Sequence, residues 1–168
     1  YVAKGVKGGS NQTIPNGTDT VVTFIDEFDP NNWITSNKFQ PTIAGYYEVN
    51  AQVWWNAGVL GTAQTNIQLR KNGSTQVAIA QTAVETNMGY FQSINIIVYF
   101  NGTTDYVELT AYTANTTSQD INGASSGTWI AASLIVGGGT SGTSGSSGTS
   151  GSSGSSGTSG SSGSSGTS

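Results

Sequence analysis

Phe39-Gln40-Pro41-Thr42-Ile43-Ala44-Gly45-Tyr46-Tyr47-Glu48-Val49 joins an extended entry, a proline-centred turn and the opening of a strand. Pro41 fixes its own φ and pushes Gln40 towards extended geometry, so the chain must change direction there. Gly45 permits a backbone shape that a side chain would forbid, and the aromatic pair behind it launches the strand. From Tyr46 to Trp55 the residues alternate. Tyr47, Val49, Ala51, Val53 and Trp55 share one face, while Tyr46, Glu48, Asn50, Gln52 and Trp54 share the other. The first set reads as core.

Working outward, Thr20–Ile25 is β-branched and aromatic and predicts a strand, followed by a loop over Asp26–Asn37 that carries Trp33. Residues 1–19 are weakly patterned, with at most one short edge strand around Gln12–Ile14. Thr65–Lys71 alternates again and runs into Asn72-Gly73, a hairpin signal because both central positions of such a turn take positive φ. Its partner strand, Thr75 to about Thr82, places Val77 and Ile79 on one face. Tyr90–Phe100 predicts a long strand, Asn101-Gly102 a second hairpin-type turn, and Tyr106–Thr113 and Thr128–Val136 the closing strands. Nowhere does helical periodicity appear, and turns recur every 8 to 12 residues. The expectation is an all-β head over residues 20–136, a two-sheet jelly roll, after a lead-in at 1–19 and before a Gly/Ser/Thr repeat at 137–168.

Composition excludes much chemistry. The chain of 168 residues has neither Cys nor His, which removes thiol chemistry, disulfides, the commonest general base and zinc sites. Charged residues make up 8% of it and the net charge is -4. Its basic residues, Lys4, Lys7, Lys38, Arg70 and Lys71, form no stripe for nucleic acid. Mild acidity argues against anionic membranes, and no apolar run is long enough to insert into one. No signal-like segment opens the sequence, and its start at Tyr1 without Met reads as a fragment or a processed product. No cofactor is expected.

The turn carrying Phe39, Pro41, Gly45 and Tyr47 resembles the strand-entry signature of the globular heads of complement component 1q and tumour necrosis factor. Val21–Phe24 looks like the family's early strand, and Ile67–Gly73 looks like its Leu-x-Lys-Asn-Gly hairpin. Tyr106–Leu109 with Ala132–Ile135 resembles the closing strands, although the Phe and Gly of the family's closing motif are missing. What the resemblance implies is a ten-stranded jelly roll packed as a homotrimer, recognising ligands through surface loops or intersubunit grooves. The low-charge, Asn- and Thr-rich style is similar to bacteriophage and bacterial surface versions. That implies a non-enzymatic virion fibre or surface-appendage component with virion or extracellular localisation. Other virion or appendage proteins and a host-surface glycan or protein are then the expected partners.

From Gly139 onward glycine occupies every third position, at Gly139, Gly142, Gly145, Gly148, Gly151, Gly154, Gly157, Gly160, Gly163 and Gly166. Collagen imposes this period because only Gly fits at the axis of three polyproline-II chains. A flexible Gly/Ser linker is the alternative. Against a triple helix, no triplet contains proline, and each ordered residue costs about 1–2 kcal/mol of backbone entropy. A trimeric head would offset this by holding three tails in register. Such a stalk of thirty residues at ~3 Å rise spans on the order of 90 Å.

The candidate site residues fall into two sets. Tyr46, Trp54, Tyr99, Tyr106 and Tyr112 lie on polar-patterned faces and read as contacts between subunits, with glycan stacking as the alternative. Asp26, Glu27, Asp29 and Trp33 form the candidate ligand loop. Its carboxylates are either a calcium site or a solvated acidic turn, and they lack EF-hand spacing. Trp55 and Trp129 read as core. A carbohydrate-binding module joined by a linker to another domain is the alternative function. No carboxylate pair marks a glycosidase.

Overall fold

The computed structural model describes residues 1–58, 63–84, 88–114 and 117–137. The glycine repeat from Gly139 lies outside them, as does most of the loop around Glu85. Every regular element described is a strand: β1 Val2–Val6, β2 Gln12–Ile14, β3 Thr20–Val21, β4 Ile25–Phe28, β5 Ile34–Thr35, β6 Lys38–Phe39, β7 Gly45–Trp55, β8 Ala63–Lys71, β9 Thr75–Val84, β10 Tyr90–Phe100, β11 Val107–Ala114, β12 Gln119–Ile121 and β13 Trp129–Gly137. Among the described residues thirteen strands thus stand where ten were expected, because β2, β3, β5, β6 and β12, of two or three residues each, flank longer ones.

The strands form two antiparallel sheets. One runs β2-β12-β7-β13-β1-β4, with β10 on the free side of β7; the other runs β5-β6-β11-β8-β9, with β3 on β11. β7 is the spine of the first sheet, paired with β10 from Gly45↔Phe100 to Trp55↔Tyr90 and with β13 along its other edge. Alternation along β7 follows the sequence: Tyr47, Val49, Ala51, Val53 and Trp55 are buried and the residues between them are not. They meet Ile67 and Leu69 of β8 and Val107, Leu109 and Ala111 of β11 in one core.

The opening turn earns its place through aromatic packing. Phe39, Tyr47 and Phe100 meet edge to face with centroids 5.4–5.6 Å apart. Gly102, at φ 73°, lets the loop after β10 press on this turn; a Cβ there would stand 2.5 Å from the Ala44 backbone nitrogen. The Asn101-Gly102 signal is therefore no hairpin: it carries the chain from β10 in one sheet to β11 in the other. Asn101 Oδ1 caps that crossing by accepting from the backbone amides of Thr103, Thr104 and Asp105. At Asn72-Gly73 both φ angles are positive, 55° and 78°, and the loop joins β8 to β9 as the sequence predicts.

Other expectations are corrected. The segment 1–19 contributes β1, which lies between β13 and β4, so most of it belongs to the sandwich. Thr20–Ile25 is not one strand, since Thr20–Val21 pairs with β11 while Ile25–Phe28 crosses to pair with β1. A register shift beside Leu69 and Arg70 resets the phase of β9. Ala78 and Ala80 then pack on the core, and Ile79 is left exposed.

Candidate functional site

The outward face of β7 and β10 is a ladder of five cross-strand pairs: Tyr46↔Tyr99, Glu48↔Ile97, Asn50↔Asn95, Gln52↔Ser93 and Trp54↔Phe91. Both ends are aromatic, with ring centroids 5.2 Å apart for Tyr46–Tyr99 and 5.3 Å for Trp54–Phe91. Between them the polar side chains bond laterally. Asn95 Nδ2 donates to Glu48 Oε1 at 2.8 Å and also to Asn50 Oδ1. Yet Ile97 is 59% exposed, Phe91 55%, Tyr46 52% and Tyr99 44%, and Val136 of β13, opposite Tyr46, is exposed as well. Several large apolar groups thus share one open sheet face.

The expected interface residues do not all meet there. Tyr46, Trp54 and Tyr99 lie on this face, whereas Tyr112 lies on β11 in the other sheet and Tyr106 immediately precedes it. Tyr106 receives Lys38 Nζ 4.1 Å over its ring, and both are local to that sheet. Phe91 and Ile97 were missed. Their signal was the parity of Tyr90–Phe100, in which they share a face with Tyr99.

The candidate ligand loop does not assemble. Trp33 is 1% exposed, stacked on Tyr1 and edge-on to Phe39 and Tyr47, with Nε1 donating to Thr42 Oγ1 at 2.9 Å. It is core, so a bound molecule cannot reach it. Trp129 is the converse correction: it pairs with Gln52 on the outward side of β13 and is half-buried. Asp26 and Glu27 are consecutive on β4 at an irregularity in its pairing with β1, both exposed, and Glu27 pairs with Lys4 at 2.5 Å. Asp29 Oδ2 accepts from the Ile34 amide at 2.6 Å, holding the loop that buries Trp33. Among the described residues, no three His, Cys, Asp or Glu side chains come together to hold a metal ion.

Shifted titrations also trace structure. Burial, reinforced by the nearby Tyr1, pushes the Tyr47 hydroxyl up to about 12, while it donates to Ile43 O at 2.9 Å. Burial raises Tyr90, partly offset by its hydrogen bond with Thr65. Asp105 is lowered by hydrogen bonds from Asn72 and Lys71, which tie the β8–β9 turn to the crossing before β11.

A polar groove of about 550 Å³ opens where β7 ends, lined by Asn11, Asn56, Ala57, Gly58, Ser118, Gln119 and Asp120. None of these drew notice in the sequence. They come from two loops and the start of β12 and share no local pattern.

No family model matches this chain, and no curated protein resembles it in sequence. Solved structures match its shape. Murine APRIL at pH 5.0 superposes with a TM-score of 0.61 at 10% identity, covering 80% of this chain and 98% of APRIL. The globular domain of zebrafish complement 1qA gives 0.58 at 8% identity, covering 81% and 98%. Eiger, a tumour necrosis factor from S. frugiperda, gives 0.58 at 7% identity, covering 80% and 92%. The all-β sandwich described above therefore has the jelly-roll fold of tumour necrosis factor and complement 1q heads, reached at an identity that speaks to fold alone.

Proposed function

We infer that the chain is a non-enzymatic, self-associating head: a homotrimer that presents its jelly roll on the collagen-like repeat beginning at Gly139. Its setting is a bacteriophage virion fibre or a bacterial surface appendage, where it attaches to a host surface or serves as a structural piece. The observation that carries self-association is the open face of β7 and β10, where Tyr46, Phe91, Ile97 and Tyr99 are each more than two-fifths exposed. Large exposed apolar groups gathered on one face mark an interaction site, and aromatic residues are enriched in the cores of such interfaces. The uninterrupted glycine period supports the number three, because a triple helix needs three chains in register. The reading as a glycan binder through Trp33 loses its platform, since that ring is core.

Sedimentation of the full chain at micromolar concentration tests this. A trimer is expected, and Ile97→Lys with Phe91→Glu should release monomers that keep the β-sheet circular dichroism of the head while losing any triple-helical signal. A wild-type monomer would overturn it. Collagenase digestion, with a triple-helical signal lost on mild heating, tests the repeat separately.

A further inference from the structure

We propose that the groove beyond the end of β7 is a binding site for neutral oligosaccharides. Three segments build it: Asn11 before β2, Asn56–Gly58 after β7, and Ser118–Asp120 at the start of β12. They are held by their own bonds. Asn56 N donates to Asp120 O at 2.9 Å, Gln119 Nε2 to Asn56 O at 3.1 Å, and Asn122 Nδ2 to Asn56 Oδ1 at 2.8 Å. The Gly123 amide donates to Asn11 Oδ1 at 3.0 Å, and Thr13 Oγ1 to Asp120 Oδ1 at 2.7 Å. A site held this way needs little ordering on binding.

The chemistry of the lining selects the ligand. Amide, hydroxyl and carboxylate groups supply donors and acceptors together, as a polyol's hydroxyls require. The Asn11 amide nitrogen and the second Asp120 carboxylate oxygen take part in none of the bonds above. Gln119 is 5% exposed, and its Oε1 is buried without a hydrogen-bond partner, an acceptor lacking a donor in the groove wall. Among the described lining residues there is no Lys or Arg and Asp120 is the one charge, which disfavours sulfated or phosphorylated ligands. Among the same described residues one carboxylate is too few for a hard cation, and Ala57 is the only apolar side chain. The volume falls within the usual ~300–1,000 Å³ of small-molecule sites. Position agrees: β13 leaves the sandwich at Gly137, opposite Gly45, whereas the groove lies past Trp55, the other end of β7. About ten strand residues, ~34 Å, separate the two ends. A stalk leaving at Gly137 would hold the groove outermost.

The test is an NMR titration of the full chain with neutral trisaccharides of mannose, galactose, glucose and N-acetylglucosamine. For at least one, shifts should concentrate at Asn11, Asn56, Gln119 and Asp120. Ala57→Trp, which fills the groove without removing a hydrogen bond, should weaken binding at least ~10-fold. Should that variant misfold, Asp120→Asn keeps an acceptor for Thr13 and should weaken binding several-fold. The proposal is overturned by silence at ~10 mM saccharide, by shifts elsewhere, by unchanged affinity in a folded Ala57→Trp, or by tighter binding of a sulfated trisaccharide. Sedimentation is independent of all these outcomes, so the oligomeric proposal stands or falls apart from this one.

Discussion

The outward faces of the two sheets follow the same alternation and end in opposite conditions. On the six-stranded sheet, Asn66, Gln68 and Glu108 are buried although polar, and the chain closes the surface itself. Gln68 Nε2 donates to Asn66 Oδ1 at 2.9 Å, and Arg70 donates to Gln68 Oε1 at 3.1 Å and to Asp19 Oδ2 at 2.6 Å. On the seven-stranded sheet the polar centre is bonded in the same lateral way, but the aromatic ends and Ile97 stay in solvent. Polar atoms find partners sideways within one layer, whereas apolar atoms leave water only beneath a second surface. One face leaves only Ile79 among its large apolar groups in solvent among the described residues. The other leaves several.

The largest effect should come from beneath both faces. Trp33→Ala empties the aromatic core that closes one end of the sandwich and should cost about 3–5 kcal/mol in urea unfolding. If it costs less than a surface substitution, the core is misassigned and the contrast between faces has no common floor. Alkali comes next. Tyr47 ionises at about 12 when folded against the ordinary tyrosine value of 10.0, so above the lower value the unfolded chain gives up a proton that the folded chain keeps. Stability is thus intact below pH 10.0 and lost as pH rises through about 12, by roughly 2–3 kcal/mol, with Tyr90 shifted in the same direction. Tyr47→Phe should flatten that decline in pH-dependent thermal melts. The smallest effects sharpen the contrast most. Asp19→Ala, which strips the closed face of its carboxylate, should cost about 1 kcal/mol. On the open face Ile97→Ser should cost the isolated head ~0.5 kcal/mol or less yet weaken its association. Equal costs in the unfolding of monomers would erase the distinction.

Legibility in the sequence tracked how tightly the phase of each strand is pinned locally. Gly45–Trp55 is bounded by Pro41 and Gly45 and alternates over its whole length, so its inner and outer faces were readable. Tyr90–Phe100 came out with its limits unchanged, and Asn72-Gly73 with its positive φ angles. Where nothing local pins the phase, assignment failed. Trp129 opens its strand with no preceding alternation to orient it, and it faces outward. Ile79 follows a bulge that no residue type announced. Trp33 is buried by contacts with Tyr1, Phe39 and Tyr47, of which Tyr1 at the chain's start and Tyr47 in β7 lie outside any short window around it. Asn101-Gly102 has hairpin chemistry but serves a crossing between sheets, and only the partners of β11 reveal that. The groove was invisible for the same reason as Trp33: Asn11, Asn56 and Asp120 are neighbours only once three distant segments have converged.

β1 and β13 run antiparallel side by side, with the Leu134 amide donating to Tyr1 O at 3.0 Å and Gly137 opposite Gly45. The polypeptide therefore enters and leaves its sandwich through one doorway. Any segment attached ahead of Tyr1 would depart from the same pole as the repeat behind Gly137. A segment moved from behind Gly137 to ahead of Tyr1 would therefore leave the Trp55 end of the sandwich facing away from it as before.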